Sequence, residues 1–142
     1  MPVDKATIYE RLDKLSQVIK LLEKYRATPR EDFLTDFTIN SAAQYNLILG
    51  IEIIVDIGSH LLSEAFQVHA SEYRQVIELL GEYEVLPREF AEENIPMARF
   101  RNLIIHQYEQ VDMAQVYENL QKAPGVLNQF AKYFTDFIEN KS

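Results

Sequence analysis

The segment Met97-Ala98-Arg99-Phe100-Arg101-Asn102-Leu103-Ile104-Ile105-His106-Gln107-Tyr108 gathers Arg, Asn, His and Tyr between apolar anchors. A guanidinium is permanently charged and grips phosphate in two-pronged fashion, whereas an imidazole gives or takes a proton near neutral pH. Together, Arg101 and His106 suit metal-free cleavage of a phosphodiester. In that chemistry a substrate 2′-hydroxyl attacks the adjacent phosphorus, His106 moves a proton, Arg101 stabilises charge growing on the phosphoryl oxygens, and Asn102 orients the site.

At about 100° per residue, Asn102 and His106 share one line of a helix, while Arg101 and Tyr108 share a second line beside it. A step of five residues is not the i,i+4 spacing of groups that meet on one helix. Arg101 and His106 are therefore splayed across one surface, and either a bend or a second copy of the helix must bring them together. A two-fold homodimer is the simpler arrangement. Taken alone, the residues also admit a partly exposed arginine and a packed or solvated histidine with no joint role.

Glu52 and Asp56 stand at helical spacing inside an apolar run, where an ionised carboxylate is costly unless paired. Arg101 or His106 would be suitable partners, so that the acids orient the basic groups. The alternative is pairing with Arg74, a lysine or solvent at a bundle edge. His60, near Asp56 on the same run, reads as a capping or core hydrogen-bonding group, and His69 as solvated in a polar link. Neither joins a metal-ligand set, so no metal and no cofactor is expected. The Tyr and Phe residues spread along every helix read as core.

These groups need a scaffold, and its helices are visible as periodicity. From Asp4 to Tyr25 the residues Ile8, Leu12, Leu15, Val18, Ile19 and Leu22 recur at three- and four-residue steps, predicting a first helix that Ala27-Thr28-Pro29-Arg30 ends. A short turn over Phe33 to Phe37 precedes a long, largely buried helix from Ile39 to Phe66. Gly50 and Gly58 within it would let neighbours approach closely. Ser71 is placed as N-cap of a third helix over Glu72 to Tyr83. Pro87 opens a fourth that runs through Leu103 and Ile104 with a kink at Pro96. Asp112 and Gln115 read as a capping box for the last helix, which Pro124-Gly125 bends or divides.

With 142 residues, 47% hydrophobic composition and only 4 Gly and 5 Pro, the chain reads as one all-α domain over 1–142, a bundle of four or five helices. The absence of cysteine excludes disulfides and thiolate chemistry and suits the cytoplasm. Met1 to Ala6 carries Asp4 and Lys5 and does not read as a signal peptide. The apolar stretch from Leu47 to Ile57, broken by Gly50, Glu52 and Asp56, falls short of the ~20 residues of a membrane span, so no membrane partner is expected. A net charge of −8 argues against generic nucleic-acid binding. Any RNA would be held locally.

The stretch from Arg101 to Tyr108 resembles the R-x-x-x-x-H-x-Y signature of the HepT-like toxins, a family of the HEPN superfamily. Ile51-Glu52-Ile53-Ile54-Val55-Asp56-Ile57 is similar to that family's acidic core helix, and Tyr73-Arg74 through Leu79-Leu80 with Val85-Leu86-Pro87 to its following helix and proline turn. The resemblance implies a HEPN bundle whose homodimer lines a cleft with Arg101 and His106 from both copies, acting as an endoribonuclease toxin on RNA. It further implies a minimal nucleotidyltransferase antitoxin as partner, in a larger toxin–antitoxin complex, with Tyr108 matching the tyrosine that receives AMP. Bulky phosphates there would repel RNA. The alternative is a non-catalytic subunit that binds nucleotide or substrate for a nucleotidyltransferase.

Overall fold

A computed structural model describes residues 3–140, so Met1 and Pro2 of the opening segment lie outside the described residues. Among the described residues seven α-helices follow one another: α1 (Lys5–Arg26), α2 (Arg30–Thr35), α3 (Phe37–Phe66), α4 (Tyr73–Glu82), α5 (Arg88–Glu93), α6 (Pro96–His106) and α7 (Met113–Asn140), with a 3-10 turn at Tyr108–Gln110. Five of them have ten or more residues, while α2 and α5 have six each. The protein is all-α.

α3 is the axis of the bundle, in contact with α1, α2, α4, α6 and α7. Its apolar residues point in several directions because several sides have a neighbour: Ile51, Ile54, Ile57, Leu61 and Leu62 are all buried. By length and composition α3 could cross a membrane, contrary to the sequence expectation, yet 61% of its most apolar window is buried inside the bundle. Two glycines make close approach feasible. A Cβ on Gly58 would lie 2.7 Å from Leu80 Cδ1 of α4, and one on Gly50 would lie 2.9 Å from Leu127 Cδ1 of α7.

The helix ends follow local chemistry. Asp36 accepts from Thr38 N and Ile39 N, starting α3 two residues before the apolar pattern does. At its other end Gln67 adopts φ 55°, and Val68 N bonds back to Leu62 O, closing the helix in a left-handed cap. Ser71 is not the N-cap of α4. Glu72 occupies that position, and Ser71 instead donates its N–H and hydroxyl to Gln75 Oε1. Asp112 accepts from Ala114 N as a cap should, but Gln115 turns away to Asn119 and returns no bond, so the box is half formed.

Two expectations about proline are corrected. The predicted fourth helix is two helices, because Asn94 N and Ile95 N turn back on Ala91 O and Glu92 O, and Pro96 starts α6 afresh. Pro124, in contrast, neither ends nor divides α7. Its ring is buried, on a helix that also buries Val116, Leu120, Leu127, Phe130 and Phe134. Burial of that stripe outweighs the ~3 kcal/mol an interior proline costs a helix. Gly125 faces open space and packs against nothing.

Candidate functional site

α6 carries the polar cluster, held against α3 and α4 by its inner face. Ala98 and Ile104 are buried there. Arg101 leans the same way and meets α3: its Nε and Nη2 each lie 3.0 Å from Glu52 Oε1. The other oxygen of Glu52 accepts from Tyr73 Oη at 2.5 Å, and the Arg101 guanidinium carbon stands 4.4 Å over the Tyr73 ring. A third bond runs from Arg101 Nη1 to Asn102 Oδ1 at 3.1 Å. Three helices thus fix one arginine, by ion pair, hydrogen bonds and a cation–π contact.

The side chain of Arg101 is only 18% exposed, yet its terminal nitrogens retain N–H groups for a further acceptor. Burial lifts the Tyr73 hydroxyl above the ordinary phenol range, the hydrogen bond to Glu52 and its negative charge add to this, and Arg101 pulls the other way. Tyr73 therefore stays protonated and donates, which turns Glu52 toward Arg101.

Asp56 does not join this group. It pairs with Arg11 of α1 and stands 3.6 Å from His60 Nε2, one turn along α3 from Glu52. Four residues along a helix advance the azimuth by about 40°, and the neighbours of α3 decide which base each carboxylate finds. His60 lies between Asp56 and Glu64 along α3 at 3.6 and 3.5 Å, ion-pair distances rather than the hydrogen bond its position suggested.

His106 is the last residue of α6, exposed, and makes no hydrogen bond or ion pair among the described residues. Gln107, at φ −136° and ψ 44°, breaks the helix immediately after it. Tyr108 consequently leaves the helical line it was expected to share with Arg101 and enters the 3-10 turn, where it is 71% exposed. Asn102 and His106 keep their i,i+4 relation on the outer face of α6, and Asn102 is exposed as well. Arg101 is thus rooted inward and His106 free outward.

Two contributors escaped the sequence reading. Tyr73 was placed in the core, although a buried tyrosine hydroxyl needs a partner and that requirement pointed to a nearby acid. Arg11 gave no signal, because nothing local ties α1 to Asp56.

The profile of the family described as Ribonuclease HepT-like matches residues 15–134. A tRNA nuclease HepT of Aphanizomenon flos-aquae is 25% identical over 141 residues, 96% of each chain. Among solved structures, a tri-AMPylated HEPN toxin of Shewanella oneidensis in complex with an MNT antitoxin superposes with a TM-score of 0.83 at 20% identity, covering 90% of this chain and 96% of that one. The cytosolic protein YutE of Bacillus subtilis, of unknown function, superposes at 0.81 and 22% identity, covering 98% and 93%. These structural likenesses establish the fold.

Proposed function

Because the chain belongs to the HepT-like ribonucleases, we propose that it is the toxin of a toxin–antitoxin pair, a metal-independent endoribonuclease in which Arg101 and His106 cut RNA. The observation that carries this reading is the pairing of a fixed guanidinium with an unencumbered imidazole on one helix. Glu52 and Tyr73 hold Arg101 before substrate arrives, so little reorganisation is needed when charge develops on phosphate. Asn102, bonded to Arg101, completes the orientation.

In the reaction, the 2′-oxygen attacks phosphorus as its proton passes to one imidazole. The bond from phosphorus to the 5′-oxygen breaks, and the leaving oxygen takes a proton from a second imidazole. The products are a 2′,3′-cyclic phosphate and a free 5′-hydroxyl. Two copies of His106 across a dimer axis supply both imidazoles. A surface suited to that dimer runs along α3: Phe37, Ser41, Tyr45, Ile48 and Glu52 share one stripe, with Phe37 79% and Tyr45 65% exposed. It leads to the Arg101–Glu52 pair, and Ile105, one turn beyond Arg101 on α6, is 38% exposed. A second copy covering this stripe brings two α6 helices face to face.

The test is cleavage of RNA by the purified protein in excess EDTA. Defined cuts ending in cyclic phosphate are expected, and no cleavage, or cleavage only with added metal, would overturn the reading.

Tyr108, exposed just past His106, is the proposed acceptor of AMP from a nucleotidyltransferase antitoxin. Each AMP places a phosphate beside the catalytic helix end, where it repels the RNA backbone. Tyr108→Phe is expected to cleave RNA within about twofold of the parent protein, since the hydroxyl has no partner and takes no part in chemistry. Incubated with such an antitoxin and ATP, it should neither gain mass nor lose activity, as read by intact-protein mass spectrometry.

A further inference from the structure

We propose that the groove between α6 and α7 is a second nucleotide subsite, seating a base that flanks the cleaved bond while Arg99 and Lys122 hold its phosphates; it rests on the ribonuclease reading above. The groove has a volume of about 530 Å3 and an apolar floor of Leu47, Ile51, Phe100, Leu103, Val126 and Leu127. Arg99 stands on its α6 side and Lys122 on its α7 side, and neither forms an ion pair among the described residues. Gln115 and Asn119, four and three residues apart along α7 from one another and from Lys122, place two amides on the same lip.

Charge and chemistry identify the occupant. In a chain of net charge −8, two cations that line an apolar slot and form no ion pair among the described residues are complementary to a flat base with phosphates beside it. The amides supply donors and acceptors for the base edge.

The groove is also continuous with the side of α6 that carries His106. Arg99, Asn102, Leu103 and His106 follow one another at steps of three, one and three, which puts all four on one side of α6. Arg99 and Leu103 line the groove, and His106 ends the same stripe about 10 Å along the axis from Arg99 and about 4.5 Å from Leu103. Arg101 and Ile105 lie around the other side of the helix, toward the dimer stripe. A strand with its scissile phosphate at His106 and running toward the start of α6 therefore enters the groove. Glu93, before that start, repels phosphate and marks where the path ends.

The test measures binding apart from cleavage, using a short 2′-O-methyl oligoribonucleotide, which has no 2′-hydroxyl to attack phosphorus. Combining Arg99→Gln with Lys122→Gln removes only charge. Ala123→Phe fills the groove without changing charge, and Asn119→Phe replaces it if its melting curve differs from the parent's. Lys132→Gln, exposed on α7 outside the groove, is the control.

The charge pair is expected to weaken binding about tenfold and to lower the slope of log affinity against log salt by about 1.4, two contacts at ~0.7 each. The filled groove should weaken it about tenfold at unchanged slope, and the control should match the parent. On cleavable RNA the same factors should appear in KM, with kcat within about twofold. Absence of binding by the parent protein, or full binding by the filled groove, overturns the subsite, the latter even if the charge pair weakens binding. If the parent protein binds as described but cuts no RNA, the catalytic reading fails and the nucleic-acid groove stands.

Discussion

His106→Ala is expected to lower RNA cleavage by about a hundred- to ten-thousandfold, the range for loss of a positioned acid or base, with the unfolding midpoint unchanged. The two halves of this expectation come from one observation. The imidazole lies at the exposed end of α6 with no hydrogen bond or ion pair, so its removal takes no contact from the fold. It is therefore a residue whose replacement separates chemistry from stability. In a dimer with one imidazole from each copy, the substitution removes both proton carriers at once. Mixed dimers of parent and variant chains should then be nearly as inactive as the variant, because acid and base are both required. The checks are a cleavage time course in EDTA, a thermal melt, and growth after induction without antitoxin, which the variant should not arrest. Retained cleavage by a folded variant removes His106 from the mechanism.

Arg101→Lys is expected to reduce kcat by about a hundred- to a thousandfold, comparable to the loss of one preorganised oxyanion donor, despite conserving charge. The guanidinium gives its Nε–H to one oxygen of Glu52, with Nη2 3.0 Å from the same oxygen, gives Nη1–H to Asn102, and stands over Tyr73, with donors still in hand. An ammonium is a point charge on a flexible stem and cannot satisfy Glu52 and phosphate together in that geometry. Stability should fall by only about 1 kcal/mol, because Glu52 keeps its bond from Tyr73 and is partly exposed. Arg101→Ala should lose still more activity, and added guanidine should restore part of it. A purely structural role for Arg101 predicts no such rescue. Wild-type turnover by a folded Arg101→Lys protein would place the phosphate contact elsewhere.

The net charge of −8 is compatible with an RNA substrate because the cations that matter are differently arranged. Arg11 and Arg74 are engaged with Asp56 and Glu78, whereas Arg99 and Lys122 make no ion pair among the described residues. A distributed basic surface would bind any polyanion. A few oriented cations would favour a strand placed by the proposed groove and catalytic residues.

The sequence by itself determined the long helices, though not the separation of α5 from α6, and put Arg101, Asn102 and His106 on one helix. Periodic apolar residues and the break at Pro29 act over a few residues, so they are legible without a partner segment, whereas the cap at Asp36 was seen only in the fold. It also located Glu52 and Asp56 as acids in need of bases, since a carboxylate in an apolar run carries that cost wherever it folds. Only the tertiary structure decided which base each found. Glu52 faces α6 and α4 and gains Arg101 and Tyr73, while Asp56 faces α1 and gains Arg11. That choice depends on the azimuth at which α3 packs against its neighbours, a quantity no local spacing contains. Packing likewise let Pro124 continue through α7, where burial of a long stripe outweighs a missing hydrogen bond, and the turn at Gln107 took Tyr108 off the helical line. Local rules fixed the segments, and long-range burial fixed their rotation, because only the assembled core decides which face of each helix is hidden.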